Sequence, residues 1–322
     1  MSLLNLHHKK SEGMNMEVWR SMLFIPANSW RMIMRATTEM QDAIILDLED
    51  AVPIAEKETA RVFARDGVPI LKSKGIDVFV RVNSLGTGLT EEDLRLVVVK
   101  GLDGVMLPKS EREEDIVKVD RLIKKEEMSK KLKPNSISLI PLLESPRGVL
   151  NAFEIATASK RVTALGFGAG DFLRELGEGF AIARLSPDEY FPMILYARSR
   201  VSIAAQVAGV PAIDTPFFGL LIDTEGLIRE SSKAKLLGFK GKMLIHPRHI
   251  EPVNQVFSPS KEDVEFSKKM IAAYTEAAAK GLGAASFGGR MIDYAMVSMG
   301  KDLLSRAEAI AEKEKRRIEE KY

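Results

Sequence analysis

The sequence predicts an α/β fold, a (β/α)8 TIM-type barrel with a C-terminal helical lid extension. Three observations carry this. Eight short apolar runs alternate with longer segments of helical period. No GxGxxG follows the first run and no GxxxxGK[ST] occurs, which disfavours a doubly wound nucleotide-binding sheet. Charged residues recur at the ends of the runs, where a parallel barrel places its active site.

In order, the runs are "SMLFIP" (21–26), "AIILDLE" (43–49), "DVFVRVN" (77–83), "GVMLPK" (104–109), "SLIPLLE" (138–144), "VTALGFGAGD" (162–171), "PAIDTPF" (211–217) and "KMLIHP" (242–247). Between them, stretches such as "EEDIVKVDRLIKKEEMSKK" and "DEYFPMILYARSRVSIAAQVAG" read as helices. The barrel is expected over residues 17–260, after a flexible extension at 1–16, with Met14 or Met16 as candidates for the natural start. Residues 261–322 then supply a helix capped by Ser258 or Ser260, a small-residue hinge "GLGAASFGG" (281–289) and a lid helix.

Composition excludes several functions. With no cysteine among 322 residues there are no disulfides, thiolate ligands or thiol nucleophile, and a cytoplasmic protein fits. A net charge of +2, with both signs intermixed, gives no field for nucleic acid. Glutamate interleaved in "EKEKRRIEEKY" makes that tract a solvated helix face. No run approaches the ~20 apolar residues of a membrane span, and the N-terminus lacks a signal-peptide core.

The strand ends present Asp47, Glu49, Asp50, Arg81, Lys109, Glu144, Asp171, Asp214 and His246, an acidic mouth with a few cations. Asp47 and Glu49 lie two apart on a strand and share a face. Burying two like charges there costs several kcal/mol unless a cation answers them. Glu144 and Asp171 are the candidate direct ligands, and oxygen-only ligation points to Mg2+, with Mn2+ possible. Asp50 reads equally as a cap for the next helix. His246 and His249 stand alone, and "IHPRH" reads as a backbone turn.

Taken together and in order, "RSMLFIPAN", "LDLEDAV", "RVNSLGTG", "LPKSE", "PLLESPRGV", "GFGAGDF" and "GKMLIHPRHI" resemble the citrate lyase β subunit and malyl-CoA (citramalyl-CoA) lyase group of the HpcH/HpaI aldolase superfamily, over residues 18–305. The resemblance implies a Mg2+-dependent carbon–carbon lyase performing Claisen chemistry on a 3-hydroxyacyl-CoA. It assigns Glu144 and Asp171 to the metal, Arg81 to the substrate, and Glu49 with Asp50 to metal-bound water. "GRMIDYAMV" resembles the lid of malyl-CoA and citramalyl-CoA lyases, which implies that Asp293 enters a neighbouring subunit's site as general acid or base in a homotrimer or homohexamer. The flanking "YAMVSMG" departs from that pattern, which commonly carries a Pro and an Arg. For CoA phosphates, Arg20, Arg31 and Arg35 flank the first unit.

Other readings stay open. Arg81 also suits a salt bridge to the acidic mouth, and Asp293 a helix cap. A Schiff-base aldolase would use Lys109, and a metal-dependent 2-oxo acid aldolase would ignore CoA. A carrier-dependent citrate lyase β subunit would be inactive alone.

Overall fold

The computed structural model describes residues 17–320, so the extension expected over 1–16 lies outside the described residues. Two compact units are present, one built on Trp19–Phe257 and one on Ser258–Ile318. Among the described residues, no helix is long and apolar enough to cross a membrane.

The first unit is a closed barrel of eight parallel strands in sequence order. Its elements are β1 (Ser21–Pro26), α1 (Trp30–Ala36), β2 (Ala43–Asp47), α2 (Lys57–Lys72), β3 (Asp77–Arg81), α3 (Thr90–Val97), β4 (Gly104–Leu107) and α4 (Glu113–Ser129). There follow β5 (Ser138–Leu143), α5 (Pro146–Leu150), α6 (Ala152–Thr157), β6 (Leu165–Phe167), α7 (Ala169–Glu175), α8 (Ala181–Arg184) and α9 (Pro187–Ala208). Then β7 (Ala212–Asp214), α10 (Thr224–Leu236), β8 (Gly241–Leu244) and α11 (Ile250–Phe257) complete the ring, with β8 pairing back to β1.

Strand alternation sorts the apolar residues into two cores. Met22, Ile45, Phe79, Met106, Ile140 and Met243 fill the barrel interior. Their neighbours, such as Leu23, Ile44, Val80, Val105 and Leu244, face the helices. Each fully buried aliphatic chain contributes roughly 1.5–3 kcal/mol, so slipping a strand by one residue would exchange both cores at once. Local signals fix the helix ends. Ser186 and Glu189 form a reciprocal capping box at the start of α9, and Gly209 closes it in the left-handed conformation.

The same alternation corrects Asp214. Ile213 faces the barrel interior, so Asp214 faces the helix layer instead of the mouth. There it receives Arg198 Nε at 2.8 Å and Lys242 Nζ at 2.7 Å, while Glu230 accepts from both cations. Tyr190 donates its hydroxyl to Glu230. All five side chains are buried, between the sheet and helices α9 and α10.

In the second unit, α12 (Lys261–Ala279) is capped by Ser260 Oγ, which accepts the Asp263 N–H at 2.9 Å. The expected hinge is in part a β-hairpin. β9 (Ala285–Phe287) pairs antiparallel with β10 (Arg290–Ile292). The turn between them is Gly288–Gly289, both at positive φ, the geometry a two-residue hairpin demands. α13 (Tyr294–Glu319) follows, and Met270, Ile292 and Val297 form this unit's own small core.

Candidate active site

Glu49, Arg81, Lys109, Glu144 and Asp171 come together at the C-terminal ends of β2 to β6. Arg81 is the fixed point. It ends β3 directly opposite Asp47 in the register, and its Nε and NH2 donate to the two Asp47 oxygens at 2.7 and 2.6 Å. NH1 lies 3.1 Å from Glu49 Oε2, and the guanidinium stacks on Phe24 at 4.7 Å. A bidentate pair plus a ring leaves the fork little rotational freedom. These carboxylates hold Arg81 even more firmly in its charged form.

Asp47 also organises the turn after β2. Its oxygens accept the N–H groups of Glu49 and Ala51 at 3.0 and 3.2 Å. From the first turn of α2, the buried Lys57 ammonium donates to the carbonyls of Leu48 and Glu49 at 2.5 and 2.7 Å. Burial lowers the Lys57 pKa, against the pull of Asp47. Asp50 is largely exposed, and α2 begins only at Lys57, so Asp50 does not cap it.

Glu144 is 5% exposed and directly follows β5. Its Oε1 accepts the Lys109 backbone N–H at 2.8 Å. Burial, and next the Glu49 charge, push its pKa up to about 8, with Arg81 opposing. Glu49 shifts the same way, again mainly through burial. Its Oε2 has no hydrogen-bond partner despite the nearby guanidinium. Asp171, in the first turn of α7, accepts Arg174 Nε at 2.9 Å and lies 3.8 Å from Lys109 Nζ. Gly168 lets this turn approach Glu144, because a Cβ there would meet Glu144 Oε2 at 2.8 Å. Of the glycines in "GFGAGD", Gly168 therefore serves close approach to a carboxylate, while Gly166 makes room for Leu142.

Lys109 donates to Glu49 Oε1 at 2.8 Å. Burial alone would lower its pKa, but Glu49, Asp50 and Asp171 outweigh burial and raise it. A Schiff-base lysine needs the opposite shift.

Around this mouth the carboxylates of Asp47, Glu49, Asp50, Glu144 and Asp171 outnumber the cations Arg81, Lys109, Arg174 and Lys57. Two buried acids with raised pKa values and a Glu49 oxygen without a hydrogen bond fit a hard divalent cation. Glu144 and Asp171 could hold it. Among the described residues no three acidic or histidine groups converge as a closed cage, so water and substrate oxygens would complete the shell, as Mg2+ sites commonly allow.

The remaining sequence candidates lie elsewhere. Arg20 precedes β1, at the opposite end of the barrel. It is 2% exposed and donates from Nε and NH2 to Asp42 at 2.8 Å each, so it is not available to a phosphate at the mouth. Arg31 and Arg35 are exposed on α1, with Arg35 Nε 3.7 Å from Glu39. His246 accepts the Arg248 N–H at 3.1 Å and shapes its turn. In the second unit Asp293 is exposed, and its Oδ1 accepts the Met296 N–H at 2.9 Å, capping α13.

Sequence reasoning missed Lys57, Phe24 and the Asn83–Asp93 pair. Asn83 donates its backbone and side-chain N–H groups to Asp93 at 2.7 Å each, and Arg61 holds Asp93 in turn, which fixes the segment after Arg81. Only the "RVN" motif hinted at this.

Fold and site define a class: a (β/α)8 protein whose strand ends form an acidic, cation-accepting mouth around a locked arginine. The chain belongs to the HpcH/HpaI aldolase/citrate lyase family, whose model matches residues 20–247. It is 36% identical to the citrate lyase subunit beta of Haemophilus influenzae, over 91% of this chain and 98% of that protein. It is 31% identical to the mitochondrial citramalyl-CoA lyase of Homo sapiens, over 91% and 87% respectively. Among solved structures it is similar to the CitE protein of Mycobacterium tuberculosis in complex with magnesium, acetoacetate and coenzyme A. That match has a TM-score of 0.71 and 29% identity, over 90% of this chain and 98% of that one.

Proposed function

We propose that the protein is a Mg2+-dependent acyl-CoA lyase. It performs reversible Claisen-type cleavage of a 3-hydroxyacyl-CoA such as malyl-CoA, citramalyl-CoA or citryl-CoA, giving acetyl-CoA and a 2-oxo acid. The observation that carries this is the pairing of Glu144 and Asp171 beside a guanidinium locked by Asp47 and Phe24. The similarity to a citramalyl-CoA lyase and to a magnesium- and coenzyme A-bound structure supports it.

In this reading Glu144 and Asp171 hold the cation, while Glu49 and Asp50 orient its water ligands. When bound, a divalent ion there polarises the carbon–oxygen bond of the 2-oxo acid fragment. Arg81 stabilises charge growing on the thioester enolate oxygen, an interaction that strengthens in the transition state. Asp47 and Phe24 hold the guanidinium in place, so little reorganisation is needed. Asp293 from another copy of the chain moves the proton at the acetyl methyl carbon. That assignment rests on the lid resemblance. Arg31, at the start of α1, is the retained candidate for CoA phosphate, with Arg35 one turn further.

One alternative has its own support. Similarity to citrate lyase subunit beta over nearly the whole chain favours a carrier-dependent subunit inert towards free thioesters. Turnover of malyl-CoA, citramalyl-CoA and citryl-CoA, with Mg2+ and with EDTA, on wild type and Asp293→Asn separates the two. Metal-dependent cleavage that falls at least about 100-fold in the variant supports the lyase and the lid acid. A folded, Mg2+-binding protein that cleaves none of them is the carrier-dependent subunit.

A further inference from the structure

We infer that Lys109 is a built-in counter-ion that competes with a divalent cation for the mouth carboxylates and so sets how tightly the cation is held. This rests on the reading that Glu144 and Asp171 bind that cation.

Lys109 touches the acidic cluster from both its main chain and its side chain. Its backbone N–H donates to Glu144 Oε1 at 2.8 Å. Its ammonium donates to Glu49 Oε1 at 2.8 Å and lies 3.8 Å from Asp171 Oδ2 and 3.9 Å from Asp50 Oδ1. The residue achieves this at φ +52, in the left-handed region. Glycine would adopt that backbone without steric cost and would still present the N–H to Glu144. The lysine side chain therefore has a task of its own. A strained residue that reaches Glu49, Asp50, Glu144 and Asp171 is typical of a site whose charge is being managed.

The task follows from electrostatics. The ammonium lowers the repulsion among Glu49, Asp50 and Asp171, which allows the mouth to assemble before a metal arrives. A cation bound between Glu144 and Asp171 meets that same ammonium as a like charge. The longer Asp171 contact is the one given up, and the Glu49 hydrogen bond is kept.

The test compares the full-length wild type with Lys109→Met, which keeps side-chain length without charge, and Lys109→Gly, which also relieves the backbone. Lys109→Arg retains the charge. Mg2+ and Mn2+ affinities are measured by calorimetry, and melting temperatures are taken in EDTA and in excess Mg2+. Both neutral variants should bind either ion about tenfold tighter, and Mg2+ should raise their Tm more than it raises that of wild type. Lys109→Arg should stay near wild type. Equal or weaker affinity in both neutral variants, or the same Tm loss with and without Mg2+, overturns the inference. A wild type that binds neither ion and melts identically in EDTA overturns the divalent reading as well.

Discussion

Two ionic clusters in the barrel use the same side-chain types, one at the strand ends and one between sheet and helices, yet they differ in charge balance. Behind β7 and β8, Arg198 and Lys242 face Asp214 and Glu230, two cations against two carboxylates, with no exposure to solvent. At the mouth the carboxylates outnumber the cations, Glu144 is pushed towards neutrality and a Glu49 oxygen beside Arg81 makes no hydrogen bond. A balanced buried network needs nothing further and ties helices to sheet. An unbalanced one holds unfavourable electrostatics that a bound proton or a cationic ligand relieves.

Substitution should separate the two clusters most sharply at Glu144. Glu144→Gln is expected to abolish divalent binding and to lower turnover at least ~10³-fold, because in the proposed function Glu144 holds the cation at the reacting centre. In EDTA the same change should leave the melting temperature unchanged or higher, since it removes an uncompensated buried acid. Steady-state kinetics beside thermal melts checks both halves. A protein that loses activity only because it unfolds would break the contrast.

The opposite pattern is expected in the balanced cluster. Lys242→Met strands Asp214 and Glu230 with a single cation and should cost about 3–5 kcal/mol of stability. Mg2+ affinity, measured below the new melting transition, should change by less than about twofold, because the cluster faces away from the mouth. Denaturant titration with calorimetry tests this pairing of effects.

How much of this was legible in the sequence depends on the kind of order involved. Eight apolar runs gave the barrel because strand period and length are local properties, and the strand-end rule reached Glu49, Arg81, Lys109, Glu144 and Asp171. Asp214 defeated the same rule. Its run is only three residues of strand, so whether its last residue faced in or out depended on the register of Ile213 against β8. Arg20 was misplaced because the strand-end rule was not applied to it: a residue just before a parallel strand lies at the end of the barrel away from the mouth. Lys57 and Phe24 were invisible because each acts on residues of another element. Gly288–Gly289 was read as loose, whereas paired glycines between short alternating stretches also encode a tight hairpin.

pH sharpens the comparison further. With its pKa near 8, Glu144 in the folded, metal-free protein keeps a proton that the unfolded chain releases near its ordinary value of 4.5. The stability from that proton is complete below about pH 4.5 and is lost as pH rises through about 8, with a slope of up to ~1.4 kcal/mol per pH unit. Saturating Mg2+ should flatten the slope, because ligation favours the ionised carboxylate. Glu144→Gln should flatten it without metal. Melts in EDTA between pH 5 and 8, roughly the span the shift defines, decide the matter, and a stability that rises over that range contradicts the assignment.

The smallest effect expected is at Phe24, and it probes how Arg81 is held. The ring supports the guanidinium from below while Asp47 grips it from the side. Phe24→Leu keeps an apolar filler but removes the ring face, an interaction worth about 0.5–1.5 kcal/mol. The guanidinium stays bound to Asp47 with more freedom to tilt. Because in the proposed reaction Arg81 meets charge that grows as the carbon–carbon bond breaks, the loss should appear as a three- to tenfold fall in kcat with KM nearly constant. Restoring an aromatic with Phe24→Tyr should recover most of it. An unchanged kcat with raised KM would place Arg81 in ground-state binding, and a fall in Tm alone would reduce Phe24 to filler in the barrel's interior.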